Sequence, residues 1–186
     1  MKIFFVTHNP NKVREFKQIL EPGIKVEQVN IDYPELRSDY PEEIVKLAVK
    51  QLADKLNKAV VAEDSGLFIK SLNGFPGTSS AYIHKRIGLK GILSLMKGMK
   101  NRGCMYISAV AYCEPGKKPL AFLGSEKGKI ALSIKGKHGF GHDPIFVPEG
   151  SEHTYGEIEN VEEVKRFRRI AVLKLREYLL RTSSIK

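Results

Sequence analysis

The sequence predicts an α/β fold, and two observations support this prediction. Strand and helix patterns alternate over the first third of the chain, from a short β-favouring run at residues 2–7 to an apolar strand that begins at Val60. Between residues 103 and 133 only strand patterns follow one another, joined by a turn with Pro and Gly, which is typical of antiparallel pairing. At 186 residues the chain is long enough for one domain and too short for two ordinary ones. We therefore predict a single domain over residues 1–186.

The composition is that of a globular protein. Apolar residues make up 42% of the chain and charged residues 28%, which excludes a disordered or membrane-embedded chain. No apolar run approaches the roughly 18 residues that a membrane-spanning helix needs. The apolar start at residues 1–6 is too short for a signal peptide. We therefore expect a cytoplasmic protein.

The formal net charge of +10 indicates a polyanionic partner, either a nucleic acid or a phosphorylated small molecule. The basic C-terminal residues share their helix with a core-facing apolar stripe and lack the interleaved aromatic residues of nucleic-acid-binding surfaces. A nucleic-acid-binding domain is therefore the alternative, with no specific nucleic acid expected. The basic residues of this region are Lys165, Arg166, Arg168, Arg169, Lys174, Arg176 and Arg181.

The first predicted helix begins with a candidate phosphate-binding turn. Asn9 is a good N-cap, and Pro10 suits the first helical position because its missing N–H leaves no donor unpaired. Backbone N–H groups at a helix N-terminus bind phosphate, and Lys12 would add a positive charge. The chain has no P-loop sequence, and a plain capped helix with a surface lysine is the alternative. The predicted core-facing residues of this helix are Val13, Phe16, Ile19 and Leu20.

The next two strands also end in carboxylates. A second strand at residues 24–31 is followed by Asp32 and Glu35, and Pro41 then opens a second helix. The third strand begins at Val60 and ends in Glu63 and Asp64. The predicted buried stripe of the second helix is Ile44, Leu47, Ala48, Leu52 and Leu56.

The residues that follow the third strand predict a tight turn. Ser65-Gly66 supplies the turn chemistry directly after Glu63-Asp64. Open α/β sheets usually place their chemistry at the carboxyl ends of core strands, so we expect functional carboxylates here. The alternative is that Asp64, Ser65 and Gly66 are ordinary turn residues.

The second half of the chain predicts a helix, a group of short strands and a long C-terminal helix. The helix of this part of the chain, the third predicted helix, spans residues 79–96 and is interrupted near Gly88. The strands lie at residues 103–112, 120–124 and 129–133, and the last helix spans residues 160–181 after a capping box at Thr154 and Glu157. The predicted apolar stripe of the last helix is Val161, Val164, Phe167, Ala171, Leu175 and Tyr178.

The glycine-rich loop at residues 135–146 is a candidate base-binding loop. Phe140 can stack on a nucleobase, and Asp143 can hydrogen-bond to the edge of that base. A metal-binding module is a further alternative, although the histidines lack the helical spacing of common sites. The histidines concerned are His138, His142 and His153. The two cysteines, Cys104 and Cys113, have neither zinc-site nor redox spacing, so we predict buried thiols.

Six motifs in one order resemble the inosine triphosphate pyrophosphatase (Ham1-like) family. Any one of them is weak, but together they span nearly the whole chain. The motifs are T-x-N-x-x-K (Thr7, Asn9, Lys12), I-x-x-P-E (Ile31, Pro34, Glu35), E/D-D-S-G-L (residues 63–67), G-x-P-G (residues 74–77), F-G-x-D-P-x-F (residues 140–146) and T-Y/F-x-E (residues 154–157).

This resemblance implies an elongated, twisted, mixed β-sheet flanked by helices, with two lobes, a central substrate cleft and a homodimeric assembly. It implies that the protein sanitises the nucleotide pool by cleaving non-standard purine nucleoside triphosphates (ITP, dITP, XTP) to the monophosphate and pyrophosphate with Mg²⁺.

The resemblance also assigns roles to residues of this chain. Glu35 and Asp64 would hold Mg²⁺, and Asp64 would activate the attacking water. Lys12 would stabilise the charge that develops on the phosphate oxygens. The predicted substrate-binding residues are Thr7, His8, Asn9, Pro10, Asn11, Lys12, Ser65, Phe140, Gly141, His142, Asp143, Arg168 and Arg169.

The C-terminal base-reading motif departs from the family pattern. In an alignment without gaps, Glu163 replaces the family's lysine, Phe167-Arg168 replaces Ser-His, and Arg169 keeps its type. Arg168 could donate to a 6-oxo purine in place of the histidine, or Lys165 could reach in from a shifted helix. Otherwise the preferred base is different or the activity is low. Two smaller departures are His8 for the usual Gly and His142 for the usual Tyr or Trp.

Overall fold

The computed structural model describes residues 1–33 and 36–183, which we call the described residues. Their strands are β1 (Lys2–Val6), β2 (Lys25–Val29), β3 (Val60–Ile69), β4 (Pro76–Gly77), β5 (Gly103–Cys113), β6 (Leu120–Ile130) and β7 (Phe146–Pro148). Their α-helices are α1 (Pro10–Leu20), α2 (Pro41–Leu56), α3 (Ser80–Leu95), α4 (Val161–Val164) and α5 (Phe167–Ser183).

All seven strands belong to one mixed sheet. The strand order is β2-β1-β3-β5-β6-β7, and β4 pairs with β3 outside this path. β1 runs parallel to β2 and to β3, with Phe4 opposite Val60, whereas β4 and β7 run antiparallel to β3 and β6. The predicted α/β fold with a mixed sheet and flanking helices is therefore confirmed.

The chain divides into two compact units. Unit 1 comprises the described residues of Met1–Asp64, Ser108–Gly124 and the segment from Arg168 onward. Unit 2 comprises Ser65–Ile107 and Ser125–Phe167. The unit boundaries fall inside β3, β5, β6 and the first turn of α5. The expectation of a single domain stays a prediction.

The core of unit 1 forms where α1 and α2 pack with the strands. Phe16 of α1 stacks on Phe5 of β1 with ring centroids 3.9 Å apart, and the predicted apolar stripe of α1 is buried or half-buried. The stripe predicted for α2 was wrong at Leu47, which is 41% exposed. Because α2 has apolar residues on more than one face, periodicity alone misplaced its buried stripe. The buried stripe also contains Val45, Val49 and Ala53.

The core of unit 2 is aromatic. The ring of Tyr106 on β5 stacks on Phe167 at a centroid distance of 4.5 Å and contacts Phe146 at 4.6 Å. The ring of Tyr155 also packs against Phe146, at a centroid distance of 5.2 Å. Both cysteines of the chain are free and buried, as predicted.

Glycines explain two corrections to the predicted strands. Ser65-Gly66 does not form a turn, because β3 continues without a break from Val60 to Ile69. A side chain at Gly66 would overlap the carbonyl oxygen of Gly77 on β4, so the glycine permits a close strand approach. In place of the two strands predicted at residues 120–124 and 129–133 there is one strand, β6, which ends at Ile130 and in which Gly128 leaves the same kind of space for Val147 of β7.

The C-terminal helix is also different from the prediction, because it is broken into α4 and α5. The Oε2 atom of Glu126 accepts hydrogen bonds from the backbone N–H groups of Arg166 (2.9 Å) and Phe167 (3.3 Å) and so starts a new helix there. The predicted capping box of Thr154 and Glu157 forms, but it caps the start of a short 3-10 helix, Tyr155–Glu157, and not the start of a long helix. No helix among residues 1–33 and 36–183 is long and apolar enough to cross a membrane.

Candidate active site

The turn before α1 is built by side chains that cap backbone N–H groups. Thr7 Oγ1 accepts a hydrogen bond from the N–H of Asn9 (3.1 Å), and Asn9 Oδ1 accepts one from the N–H of Asn11 (2.9 Å). Pro10 occupies the first helical position. The side chain of His8, between Thr7 and Asn9, has its Nε2 atom 3.1 Å from the exposed carboxylate of Asp32. The predicted N-cap is therefore present and fixes the start of the helix.

Lys12 extends from the first turn of α1 to β3. Its ammonium lies 2.7 Å from Glu63 Oε2 and donates a hydrogen bond to the backbone oxygen of Glu63 at 3.1 Å. The Lys12 side chain is 18% exposed, whereas the Glu63 side chain is fully buried. A largely buried but solvent-accessible cation therefore lies directly beside the residue that precedes Asp64.

Glu63 belongs to a buried chain of alternating charges in unit 1. Its Oε1 atom accepts hydrogen bonds from Arg168 Nε (3.0 Å) and from Ser108 Oγ (2.6 Å), and Arg168 Nη1 also donates to Glu15. Burial by itself would raise the pKa of Glu63, but the positive charges of Arg168 and Lys12 prevail and lower that pKa to about 2. The two carboxylates likewise raise the pKa of Arg168 despite its burial. Glu63 and Arg168 are therefore both ionised at neutral pH.

Asp64 is the next residue of β3 and is half-buried. Its carboxylate is an oxygen ligand of the kind Mg²⁺ takes. The carboxylate of the preceding Glu63 contacts two cations and a hydroxyl group. Within the described residues, no three His, Cys, Asp or Glu side chains form a metal-binding group. A magnesium ion bound by one or two carboxylates, phosphate oxygens and water fits this donor set. Glu35, the second predicted metal ligand, lies outside the described residues.

The candidate base-binding loop lies in unit 2 and contains a buried ion pair. The Nζ atom of Lys165 lies 2.6 Å from Asp143 Oδ2, and both side chains are 2% exposed. The same carboxylate oxygen accepts a hydrogen bond from the N–H of Phe140 at 2.6 Å. Lys165 Nζ also lies over the Phe140 ring, 4.1 Å from its centroid. Phe140 itself is half-buried.

His142 is buried in the same loop, after Gly141, which has a φ of +66°. Its ring meets the ring of His84 edge to face at a centroid distance of 5.1 Å. Burial is the main cause that lowers the pKa of His142 to about 4, with a contribution from His84. His142 is therefore neutral at physiological pH. Ser65, also in unit 2, is half-buried within β3.

Comparison with known proteins now identifies the family. The sequence model of the Ham1 family matches residues 3–178. The chain belongs to the Ham1 family. It is 49% identical to a dITP/XTP pyrophosphatase of Methanopyrus kandleri over 94% of this chain and 93% of that one. It is 44% identical to a dITP/XTP pyrophosphatase of Pyrococcus horikoshii over 88% and 87% of the two chains.

A solved Ham1 structure has the same fold. The Ham1 protein of Staphylococcus aureus superposes with a TM-score of 0.84 over 96% of this chain and 98% of that one, at 28% identity. The fold therefore agrees with the family that the sequence motifs indicated.

The residues of the altered C-terminal base-reading motif lie in different parts of the structure. Arg168 lies in unit 1, where it is 2% exposed and bonded to Glu63 and Glu15. Arg169 and Glu163 are exposed. Lys165 lies in unit 2, where its ammonium contacts Asp143 and the Phe140 ring. The base-binding roles of Arg168 and Arg169 stay predictions.

Sequence reasoning missed three residues that support these clusters. Glu15 lies three residues after Lys12 and so on the same side of α1, a spacing that could have indicated it. Ser108 and Glu126 could not be identified by such a spacing, because each contacts a residue that is distant in the sequence.

Proposed function

We propose that this Ham1 protein hydrolyses non-standard purine nucleoside triphosphates, such as ITP, dITP and XTP, to the nucleoside monophosphate and pyrophosphate. The observation that carries the proposal is the contact of Lys12 with Glu63, directly before Asp64 on β3. It brings a phosphate-binding cation next to a carboxylate that can bind a metal and activate water. The names and high identity of the relatives support the same activity.

The triphosphate is bound by the turn from Thr7 to Lys12. The side-chain caps of Thr7 and Asn9 hold this turn in one conformation, so little ordering is needed when the phosphates bind. The ammonium of Lys12 offsets the negative charge that builds on the phosphate oxygens as the reaction proceeds.

The reaction is addition of water to the α-phosphorus. The oxygen–phosphorus bond between the α-phosphorus and the oxygen that bridges it to the β-phosphorus breaks, and pyrophosphate leaves. The Asp64 carboxylate orients the water and accepts its proton. We propose that Mg²⁺, held by Asp64 and Glu35, supplies further charge neutralisation on the phosphate oxygens.

The base is bound by unit 2. Phe140 provides an aromatic face on which a purine stacks, and Asp143 holds the nucleoside. Because the base-reading motif is altered, the same fold with a different base preference or low activity is the nearest alternative. Homodimer formation and a cytoplasmic location remain predictions from the family resemblance.

The experiment that tests the proposal is a substrate panel. We expect Mg²⁺-dependent pyrophosphate release from ITP, dITP and XTP that is well above the release from ATP and GTP. Equal rates with all five nucleotides would support the altered-selectivity alternative. If the folded protein released no pyrophosphate from any of them, the proposed enzymatic function would be wrong.

A further inference from the structure

We propose that Lys165 is a positioning residue that holds the ring of Phe140 as a fixed stacking surface and so increases affinity for the nucleoside without contacting it. The inference rests on the proposed function, since it concerns how the base is bound. It assigns a role to a lysine that lies outside the matched family motifs.

Burial separates Lys165 from an ordinary surface lysine. Removing an ammonium and a carboxylate from water costs several kcal/mol each unless they pair closely and find further partners. Lys165 and Asp143 are both 2% exposed and lie 2.6 Å apart. The further partner of this pair is Phe140, whose N–H donates to the carboxylate and whose ring lies under the ammonium.

The ammonium covers one face of the Phe140 ring. A cation within about 6 Å of an aromatic centroid is attracted by the ring, and more strongly when it is desolvated. The distance here is 4.1 Å. Because Lys165 is buried, the ring face beneath it is closed to solvent. Phe140 is half-buried, and in this proposal the base lies on the ring face opposite the ammonium.

The same ion pair also fixes the backbone of Phe140. Asp143 Oδ2 receives both the Lys165 ammonium and the N–H of Phe140, at 2.6 Å each. Gly139 has a φ of +72°, and a side chain there would overlap the Asp143 carboxylate. Ring and backbone are therefore held by one carboxylate and one ammonium.

The break between α4 and α5 sets the position of Lys165. Its N–H closes α4 by donating to Val161 at 3.0 Å, and Glu126 binds the N–H groups of the next two residues. A continuous helix would lack this turn. The side chain is therefore anchored at its backbone as well as at its ammonium.

Binding to an aromatic ring that is already fixed loses less conformational entropy than binding to a mobile ring. Stacking is tolerant of base type because every base has a π-face. Substitution of Lys165 should therefore weaken the binding of any nucleotide. It should not change the binding of ligands that contain phosphate but no base.

The test is a double-mutant cycle measured by isothermal titration calorimetry with inosine monophosphate and tripolyphosphate. The variants are K165M, F140A and the double variant, and K129M removes an exposed lysine of unit 2 as a matched control. We expect K165M to weaken inosine monophosphate binding about tenfold and tripolyphosphate binding less than about twofold. In the F140A background, K165M should change inosine monophosphate binding less than about twofold.

Three results would overturn the inference while wild-type nucleotide hydrolysis is intact. These are an unchanged affinity of K165M for inosine monophosphate, equal losses for both ligands, or additive losses in the double variant. If K165M does not fold, K165Q replaces it, because a glutamine amide can still donate to Asp143 but carries no positive charge over the Phe140 ring, and the same tenfold loss is expected. If the wild type neither hydrolyses purine nucleoside triphosphates nor binds inosine monophosphate, the proposed function and this inference both fail.

Discussion

The two units each contain a buried lysine–carboxylate pair, but the two pairs are built differently. In unit 1, Lys12 is 18% exposed and ends a chain of four alternating charges that continues through Glu63 and Arg168 to Glu15. In unit 2, Lys165 is closed off from solvent and its carboxylate partner also binds a backbone N–H. In unit 1 the ammonium of Lys12 is accessible to a ligand. In unit 2 the ammonium of Lys165 is buried against groups of the protein itself. A buried lysine is therefore not by itself a ligand-binding lysine.

The largest expected effect comes from breaking the charge chain of unit 1 at Arg168. R168M leaves Glu63 and Glu15 as buried carboxylates without their shared cation, so the free energy of unfolding should fall by about 3–5 kcal/mol. Urea denaturation measures this change. R169M, at the exposed neighbouring arginine, is the matched control and should change stability by less than about 0.5 kcal/mol. Similar effects of the two variants would contradict the buried chain.

Removal of the accessible cation should affect catalysis more than folding. K12M removes a positive charge from the phosphate oxygens in the transition state, and we expect kcat for ITP to fall by about 10²–10³-fold. Steady-state pyrophosphate release measures this loss. K17M, at an exposed lysine of the same helix, should retain wild-type kcat. Retention of kcat by K12M would exclude Lys12 from the reaction.

The buried histidine of unit 2 predicts a pH dependence of stability. The pKa of His142 is lowered from 6.5 to about 4, so the unfolded chain binds a proton between these pH values and the folded protein does not. The stability contribution is therefore present above pH 6.5 and is lost as the pH falls towards 4, by about 3 kcal/mol in total. Urea denaturation over this pH range should show a shallower dependence for H142Q. Parallel pH curves for the two proteins would contradict the prediction.

The smallest expected effect concerns the cap that positions Lys165. E126A removes the acceptor for the N–H groups of Arg166 and Phe167, and the free energy of unfolding should fall by about 1 kcal/mol. E126Q keeps an acceptor oxygen and should retain most of this stability. Thermal denaturation of the two variants gives the comparison, and an equal loss in both would show that the carboxylate charge, not its acceptor oxygen, is what matters.

Local signals allowed part of the fold to be predicted from the sequence. Asn9 and Pro10 determine the start of α1 by themselves, and Gly88 interrupts α3 with a φ of +61°, because capping and backbone freedom depend only on neighbouring residues. Gly66 and Gly128 misled the prediction, because they serve close approaches to strands that are distant in sequence.

The same limit applies to the candidate site. Lys12 and Asp64 were identified from strand ends and a helix start. The position of Arg168 could not be predicted from the sequence, because its partners lie 105 and 153 residues away in the chain. The helix break that directs Lys165 to Phe140 depends on Glu126, 40 residues earlier. Sequence periodicity contains no information about that contact.

The most direct test of the central claim compares wild type with D64N, at the residue that follows Glu63 on β3. We expect D64N to release no measurable pyrophosphate from ITP at saturating Mg²⁺, because the water-activating carboxylate is gone, while tripolyphosphate binding by calorimetry remains measurable. Wild-type rates of pyrophosphate release by D64N would contradict the assignment of the chemistry to this carboxylate.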